Sequence, residues 1–356
     1  MIVPTSIVDF GIFEECRFGF SGRLTSDKQY GRKNHPAYSR QVIKMEETHH
    51  DFHSGFVALV GAPNAGKSTL MNHVLGVKVA ITSPKPQTTR NRILGVRTYP
   101  NKGQLCFVDT PGLHESSKRL NKAIIKMALD ALQEVDLIVH VVDVASWVAA
   151  SYAGKERLWA QEEFVAEKLA NVEVPVILAL NKVDLVTNKE DLLPALQKFS
   201  SLREFAQVIP LSARDGANVE SIVEVLLAAL PEQEALFPED MVTDQAEKFI
   251  AAEFVRQEIM KATQKEIPYS VAVEIERFAD GETGTLEISA VVHVERSSQK
   301  GIIIGQGGAR MKEIATAARL EMERFFGRKV FLETFVRVES NWSENPRALN
   351  RFGYES

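Results

Sequence analysis

The sequence has only two cysteines, Cys16 and Cys106, among 356 residues. Two scattered cysteines provide neither a disulfide framework nor a metal-binding cluster, and such a chain suits a reducing compartment. No stretch reaches about 18 consecutive apolar residues, the length that a transmembrane helix needs. The net charge of −5 gives no global attraction to nucleic acid, so any such site must be local. These absences favour a cytoplasmic globular protein.

The composition is that of an ordinary globular chain, with 45% hydrophobic and 25% charged residues. Since domains usually hold about 100–200 residues, the length predicts two of them. Residues 1–53 have no clear helix or strand period and are predicted to be a disordered extension. An alternative is a misassigned start, because Met45 leads directly towards the first apolar run.

Residues 54–231 alternate short apolar runs with helical patterns. Continuous apolar strands between helices indicate a mostly parallel sheet covered on both faces, which is an α/β domain. The predicted strands are 56–60, 105–108, 137–142, 174–180 and 207–211. The predicted helices are 69–75, 120–134, 156–170, 190–203 and 218–230.

The pattern changes after residue 231. The acidic segment 232–245 is predicted to be a linker. A smaller α+β domain over 246–340 follows, with a tail at 341–356. Its predicted order is a helix (246–263), two strands (269–277 and 285–295), a short apolar turn (301–304), a glycine loop, a helix (309–325) and a strand (329–338).

A phosphate-binding loop lies between the first predicted strand and helix. It matches G-x-x-x-x-G-K-[ST], and the strand–loop–helix context makes the match specific. Its N–H groups and the helix N-terminus would surround phosphates, Lys67 would reach the β- and γ-phosphates, and Ser68 would bind Mg²⁺. The loop consists of Gly61, Ala62, Pro63, Asn64, Ala65, Gly66, Lys67 and Ser68.

The base is predicted to be guanine. Asp184, in the Asn181-Lys182-Val183-Asp184 motif after a buried strand, can accept two hydrogen bonds from guanine, whereas adenine offers no donor there. Asn181 and Lys182 would bridge and cover the base. Ser212-Ala213-Arg214 follows the next strand, where the Ala213 N–H would read the guanine oxygen.

Asp109-Thr110-Pro111-Gly112 follows another buried strand. Asp109 would hold Mg²⁺ through water, and the Gly112 N–H would sense the γ-phosphate. The polar, proline-broken segment 84–91 is predicted to be a mobile switch, in which either Thr88 or Thr89 completes the Mg²⁺ shell. The predicted catalytic residues are Lys67, Thr88, Thr89 and Gly112.

Leu113 follows Gly112 within the predicted GTP site, where small GTPases of the Ras type carry a water-orienting glutamine. A leucine cannot orient water, so either turnover is slow or another element positions the water. The Asn64 side chain suggests one route, in which it helps to hold a monovalent cation such as K⁺ against the phosphates.

The second domain carries a glycine loop before a helix, in Ile304-Gly305-Gln306-Gly307-Gly308. This loop and the element order resemble a KH domain of the second type, which binds single-stranded nucleic acid. Nine basic against four acidic residues between 296 and 337 give a local charge of +5. Because the two variable positions of the loop are Gln306 and Gly307, the phosphate contact is expected from the backbone and from Arg310 or Lys312.

Together the motifs GAPNAGKS, QTTRN, DTPG, NKVD, SAR and VERSSQKGIIIGQGG resemble those of the Era family of ribosome-assembly GTPases, over residues 54–340. The resemblance implies a P-loop GTPase domain followed by a type II KH domain, with GTP and GDP as ligands. It also implies binding near the 3′ end of small-subunit (16S) rRNA, a role in maturation of the small ribosomal subunit, and loose association with the inner membrane face. A hydrophobic residue after DTPG is usual in this family. The expected state is a monomer.

Two other functions stay open. A metabolic or tRNA-modifying GTPase would need a catalytic constellation after residue 245, where the sequence has no cysteine and one histidine, His293. A membrane-linked GTPase module would need a spanning or lipidation signal, which the sequence lacks.

Overall fold

A six-stranded sheet organises the N-terminal domain of the computed structural model, which describes residues 52–114, 119–152 and 157–354. The predicted extension at 1–53 and the alternative start at Met45 lie outside the described residues, apart from Phe52 and His53. The strands are β1 (His53–Val60), β2 (Ile93–Tyr99), β3 (Gly103–Asp109), β4 (Leu137–Asp143), β5 (Val176–Asn181) and β6 (Gln207–Pro210).

The sheet is mostly parallel, as predicted. Its order is β2-β3-β1-β4-β5-β6, and only β2 runs antiparallel to its neighbour. Helices on both faces bury the apolar strands, as parallel sheets require. They are α1 (Lys67–Leu75), α2 (Arg119–Asp130), α3 (Val144–Tyr152), α4 (Arg157–Lys168), α5 (Leu192–Ser200) and α6 (Val219–Ala229).

Strand β2 is absent from the sequence prediction, and Gly95 in its centre explains why. Glycine weakens a strand pattern, but here it allows close packing. A Cβ atom at Gly95 would lie 2.7 Å from Leu75 Cδ1 and 2.9 Å from Met71 Sδ, both on α1. The helix α3 was also not predicted.

The predicted linker 232–245 is held against the first sheet. The buried Gln104 side chain accepts hydrogen bonds from the backbone N–H groups of Leu236 and Phe237, both at 2.9 Å. The Val96 N–H of β2 donates to the Val242 carbonyl at 2.7 Å. The linker thus covers an edge strand that would otherwise expose unpaired backbone groups.

The elements of the C-terminal domain follow the order helix–strand–strand–helix–helix–strand, with one helix more than the sequence pattern predicts. Its strands form a second sheet in the order β7-β8-β9, with β7 antiparallel and β9 parallel to β8. The elements are α7 (Glu247–Ala262), β7 (Val271–Asp280), β8 (Leu286–Val294), α8 (Ser297–Ile304), α9 (Ala309–Phe326) and β9 (Val330–Val338).

The prediction of a short apolar turn at 301–304 was wrong, because these residues end the helix α8. Gln299 starts this helix by accepting hydrogen bonds from the N–H groups of Glu295 and Arg296 at 2.9 and 3.0 Å. Ile303 is fully buried and anchors the helix to the core of the domain.

The last described residues pack against both domains. A 3₁₀ turn (Trp342–Glu344) and a short helix α10 (Pro346–Arg351) follow β9. Trp342 and Leu349 are fully buried in a hydrophobic cluster with Leu120 and Ile124 of α2. The C-terminal segment therefore contacts the helix that follows the DTPG motif.

Candidate nucleotide and nucleic-acid sites

The phosphate-binding loop joins β1 to α1 and is shaped by two glycines with positive φ. At Gly61 (φ 151°) a Cβ atom would lie 2.1 Å from the Val141 carbonyl oxygen. At Gly66 (φ 103°) it would lie 2.1 Å from Asn181 Nδ2. No side chain fits at either position, which explains both glycines of the motif.

Lys67 lies inside this loop. Its Nζ donates to the carbonyl oxygens of Gly61 (3.1 Å) and Ala62 (3.0 Å). Burial lowers the pKa of Lys67 to about 8, and the nearby Asp109 carboxylate opposes that shift. The loop thus holds a buried cation beside the N–H groups at the start of α1, which suits a polyphosphate ligand.

Three oxygen-bearing side chains meet next to Lys67. Ser68 Oγ donates to Asp109 Oδ2 at 2.5 Å and lies 2.9 Å from Thr89 Oγ1, which is 3.3 Å from the same carboxylate oxygen. Burial raises the pKa of Asp109 to about 6, against the lowering effects of Lys67, Ser68 and Thr89. Asp109 Oδ1 is buried and has no hydrogen-bond partner among the described residues. Hydroxyl and carboxylate oxygens are ligands that Mg²⁺ accepts, so the donor set fits this ion.

The structure brings Thr89, not Thr88, to this cluster. Thr88 Oγ1 donates to the Lys85 carbonyl at 2.8 Å and to Ser83 Oγ at 3.2 Å, within its own loop. Of the two threonines left open by the sequence, Thr89 has the position of a metal ligand.

Asn181 ties three of the predicted motifs together. Its Nδ2 donates to the Ala65 carbonyl at 2.8 Å, and its Oδ1 accepts from the N–H groups of Lys182 (2.8 Å) and Ala213 (2.9 Å). Ser212 is buried and its Oγ accepts from the Asp215 N–H at 3.1 Å. The segments predicted to hold phosphate and base therefore form one framework.

The residues predicted to recognise the base lie at and just after the carboxyl end of β5. Asp184 Oδ2 accepts from Arg214 Nη2 at 2.7 Å, and the Val183 N–H donates to the Leu211 carbonyl at 3.3 Å. Lys182 Nζ lies 2.6 Å from Asp143 Oδ2. Sequence reasoning missed Asp143, although an acidic residue at the end of the buried strand β4 was a usable indication.

A cleft of about 540 Å³ runs along this framework. The phosphate-binding loop, residues 81–84 and 87–89, and Gly112 line it. Lys182, Trp147 and Glu162 line it as well. Its size suits a nucleotide-sized ligand.

The DTPG segment packs against the phosphate-binding loop. A Cβ atom at Gly112 would lie 2.7 Å from the backbone of Pro63, so the two loops touch. Thr110 Oγ1 donates to the Leu59 carbonyl at 2.7 Å. Leu113 donates its N–H to the Gly61 carbonyl at 3.2 Å, but its side chain is 1% exposed in the hydrophobic core. Leu113 can therefore contact a nucleotide only through its backbone.

Asn64, at the tip of the phosphate-binding loop, reaches the switch segment. Its backbone has a φ of 64°, and its Nδ2 donates to the Pro84 carbonyl at 2.9 Å. A hydrogen bond from the Asn64 amide to the Pro84 carbonyl thus links the phosphate-binding loop to the switch segment.

The switch segment also contacts the C-terminal domain, a link that the sequence did not predict. Arg90 is 2% exposed and donates to the carbonyl oxygens of Val271 (2.8 Å) and Pro268 (2.9 Å). Thr82 donates its N–H to Gln257 Oε1 at 3.1 Å, and Arg256 donates to the Thr88 carbonyl. Thr89 therefore lies beside Ser68 and Asp109, while its two neighbours bind the other domain.

The glycine loop between α8 and α9 is open. Gly305, Gly307 and Gly308 have φ values of 73°, 57° and 81°, and no atom lies within 4 Å of a Cβ built on Gly307 or Gly308. Gln306 and Lys312 are exposed, whereas Arg310 Nη1 donates to the Ile302 carbonyl at 2.6 Å. The loop leaves its backbone accessible to a ligand.

A groove of about 500 Å³ lies beside this loop. Ile304, Gly308 and Met311 line one wall, and Phe335 and Arg337 of β9 line the other. Phe335 is 50% exposed, so its ring is available to stack on a base. Sequence reasoning did not name the β9 residues, although their alternation with inward apolar residues predicts an outward face.

Comparison with known proteins supports two modules. The family model described as "50S ribosome-binding GTPase" matches residues 56–182, and the model described as "KH domain" matches residues 266–343. A GTPase Era of Geotalea daltonii is 47% identical over 308 residues, which are 86% of this chain and 100% of the relative.

Two solved structures agree with this result. The crystal structure of an Aquifex aeolicus Era variant bound to GDP and AlF₄⁻ superposes with a TM-score of 0.77 at 39% identity, over 86% of this chain and 100% of the other. A crystal structure of Era in complex with MgGDPNP and nucleotides 1506–1542 of 16S ribosomal RNA gives 0.77 at 38% identity, with the same coverage.

Proposed function

This chain belongs to the Era family of GTPases, and from that premise we propose that GTP binding and hydrolysis time the attachment of its KH domain to small-subunit rRNA. The RNA is the 3′ region of 16S rRNA, and the role is rRNA processing and biogenesis of the small (30S) subunit. One observation carries the proposal: the switch segment bonds to Asp109 of the nucleotide site through Thr89 and to the KH domain through Arg90.

The N-terminal half of the function is a guanine nucleotide site. Lys67 and the N–H groups of its loop bind the phosphates, and Asp184 selects guanine. Ser68, Thr89 and Asp109 would hold Mg²⁺, which neutralises phosphate charge when it is bound. The Era structure with MgGDPNP supports this assignment.

The C-terminal half is an RNA site. The open backbone at Gly307 and Gly308, the exposed Lys312 and the groove beside Phe335 suit a single strand that lays its phosphates on the loop and its bases in the groove. The description of one matching family model, "50S ribosome-binding GTPase", names the large ribosomal subunit. The relative bound to nucleotides of 16S RNA favours the small subunit.

The coupling follows from the shape of the switch segment. Thr89 would hold the metal of a GTP complex, and a movement of its backbone between nucleotide states would carry the bonds of Arg90 and Thr88 to the KH domain with it. Because Arg90 is buried with two carbonyl partners, this adjustment is transmitted to the start of β7. Nucleotide state therefore biases how the KH domain meets RNA.

The test measures RNA affinity in defined nucleotide states. A fluorescent oligonucleotide matching the 3′ end of small-subunit rRNA is titrated with protein that is nucleotide-free, GDP-bound or bound to a non-hydrolysable GTP analogue. We expect the dissociation constants of the GDP and GTP-analogue states to differ at least about fivefold, which is about 1 kcal/mol of coupling.

The variant Arg90→Ala should reduce that difference to less than twofold while the GTP affinity is retained. The matched variant Lys102→Ala, at the exposed turn between β2 and β3, should leave the difference unchanged. Equal RNA affinity in all states of the wild type would contradict the coupling, and absence of binding in every state would contradict the RNA function.

We also infer a role for K⁺ at Asn64. The Asn64 amide and the Pro84 carbonyl lie together beside the phosphate-binding loop, and amide and carbonyl oxygens are ligands of monovalent cations. Turnover should be faster in K⁺ than in Na⁺ at equal ionic strength, and Asn64→Ala should remove the difference. Equal wild-type rates in the two salts would exclude the role.

Membrane contact and oligomeric state rest on the family resemblance. Across the residues that the structure describes, no helix has the length and apolarity to cross a bilayer. We propose a monomer that touches the inner face of the membrane peripherally. Sedimentation with anionic vesicles tests the membrane contact. Light scattering during size-exclusion chromatography tests the oligomeric state, and a mass of twice the chain would contradict the monomer.

A further inference from the structure

The buried side chain of Leu113 leaves the hydrolysis reaction without a water-orienting group at the usual position. We propose that Gln87, in the switch segment, is the catalytic residue that orients the attacking water, and that His114 is the positioning residue that holds Gln87. The proposal concerns hydrolysis itself and does not depend on the RNA function.

Gln87 lies in the nucleotide cleft. It lines the same wall as Thr88 and Thr89 and shares the cleft with Pro63 and Gly112. Its φ of 60° places a residue with a side chain in the left-handed region. Such a conformation costs on the order of 1 kcal/mol or more and occurs preferentially at active sites.

His114 fixes the direction of the Gln87 amide. His114 Nδ1 lies 2.9 Å from the Gly112 carbonyl oxygen, which can only accept, so Nδ1 carries the proton and donates. His114 Nε2 then has a lone pair, and it accepts from Gln87 Nε2 at 2.7 Å. The amide nitrogen faces the ring, and the amide oxygen points away from it.

This arrangement leaves Gln87 Oε1 free to accept a hydrogen bond. Within the described part of the chain it has no protein partner. The chain of hydrogen bonds that holds Gln87 begins at the carbonyl of Gly112, the residue whose N–H is predicted to sense the γ-phosphate. A water held by Gln87 Oε1 would therefore stand between the switch segment and the DTPG loop, the two segments that carry Thr89 and Gly112.

Other polar side chains in the cleft are less suited. Asn64 is bonded to the Pro84 carbonyl, Thr88 is bonded within its own loop, and Glu162 lies 3.3 Å from the buried ring of His140. Gln161 also lines the cleft, but it lies on α4, whereas Gln87 is two residues from Thr89. Gln161 is therefore the matched comparison.

The chemical step balances without a further reactant. The water oxygen forms a bond to the γ-phosphorus while the bond to the β–γ bridging oxygen breaks, which yields GDP and inorganic phosphate. The proton of the water ends on the phosphate. Gln87 remains a neutral amide throughout, since it orients the water and takes no proton.

The experiment compares single-turnover hydrolysis with nucleotide affinity. Removing an oriented hydrogen-bonding group typically costs about 100–1,000-fold in rate. We expect Gln87→Ala and Gln87→Gly to lower the hydrolysis rate by about that factor, with GTP affinity changed less than twofold. Glycine accepts the backbone conformation that strains alanine, so equal losses in both variants assign the effect to the amide. Affinity for GDP with aluminium fluoride should fall with the rate.

His114→Phe keeps a ring and removes both nitrogens, so it should lower the rate while leaving GTP affinity unchanged. Because His114 acts through Gln87, the double variant should be no slower than Gln87→Ala. A Gln87→Ala rate within twofold of wild type overturns the proposal. So does an equal loss in Gln161→Ala, or additive losses in the double variant.

Discussion

The nucleotide cleft and the KH loop, which is the glycine loop between α8 and α9, both depend on glycines. The cleft buries its polar groups, whereas the loop exposes them. In the cleft, Gly61 and Gly66 have no room for a Cβ atom, and Lys67 and Asp109 are buried. In the KH loop, Gly307 and Gly308 face open space and Lys312 is exposed.

This difference reflects the two ligands. A triphosphate is a small ligand of limited flexibility. Asn181 and the loop contacts already hold the hydrogen-bond donors of the cleft in place, so the protein loses little conformational entropy when the nucleotide binds. An RNA strand is long and flexible, and an open backbone with a groove beside it accepts many conformations. The cleft is therefore sensitive to any change in its geometry, whereas the loop is sensitive mainly to charge.

The largest expected effect is at Lys67. Lys67→Ala should lower GTP hydrolysis on the order of a thousandfold, since it removes the cation that stabilises the transferred phosphoryl group. In the nucleotide-free state, the affinity for the rRNA oligonucleotide should stay within twofold. Rapid-quench kinetics and fluorescence anisotropy measure the two quantities. A large loss of nucleotide-free RNA affinity would remove the distinction between the sites.

A smaller effect is expected at Gly307. Gly307→Asp places a negative charge beside the RNA phosphates and should weaken oligonucleotide binding about 10–100-fold, which is about 1.4–2.7 kcal/mol. Gly284→Asp is the matched control, because Gly284 has a φ of 76° and also no atom within 4 Å of its Cβ position. Both variants should hydrolyse GTP at the wild-type basal rate. Equal loss of RNA affinity in the control would mean that the effect does not depend on placing the charge at this loop.

The smallest effect is expected where the two domains meet away from both sites. Lys78, after α1, lies 2.7 Å from Glu321 of α9. Burial alone would raise the pKa of Glu321, but the hydrogen bond and charge of Lys78, together with the charges of Arg324 and Lys261, outweigh it and the pKa is lowered. The pair therefore stabilises the protein above the usual glutamate pKa, and this contribution is lost as the pH falls through the lowered value.

A double-mutant cycle with Lys78→Met and Glu321→Gln should give a coupling energy of about 0.5–1 kcal/mol at pH 7, as expected for a partly exposed pair. Urea unfolding measures it. The coupling should shrink at pH 4; a coupling that grows on acidification would contradict the assignment.

Much of the fold was predictable because parallel strands and their helices have strong sequence patterns. Five of the six strands of the first sheet follow from continuous apolar runs. Strand β2 does not, because Gly95 and Arg97 interrupt its pattern and its packing against α1 is a tertiary property. The helix α8 was taken for a turn because Gly301 interrupts it and only the cap at Gln299 marks its start.

The candidate site divides in the same way. The motif residues could be named from the sequence because their spacing follows from the shape of a phosphate and a guanine base. The choice between Thr88 and Thr89 could not, since adjacent residues differ only in the direction in which the folded backbone points them. The contact between Gln87 and His114 could not be predicted, because 27 positions separate them in the sequence.

The sequence by itself determined the chemistry of this protein: a GTPase domain and a KH domain, each recognisable from short motifs whose residues act locally. Only the tertiary structure decided where the two domains touch. Arg90 meets Val271 and Pro268 across about 180 positions of the chain, and Trp342 meets the helix α2 across more than 200. Contacts of that separation arise from packing of whole domains, which no local pattern of residues encodes.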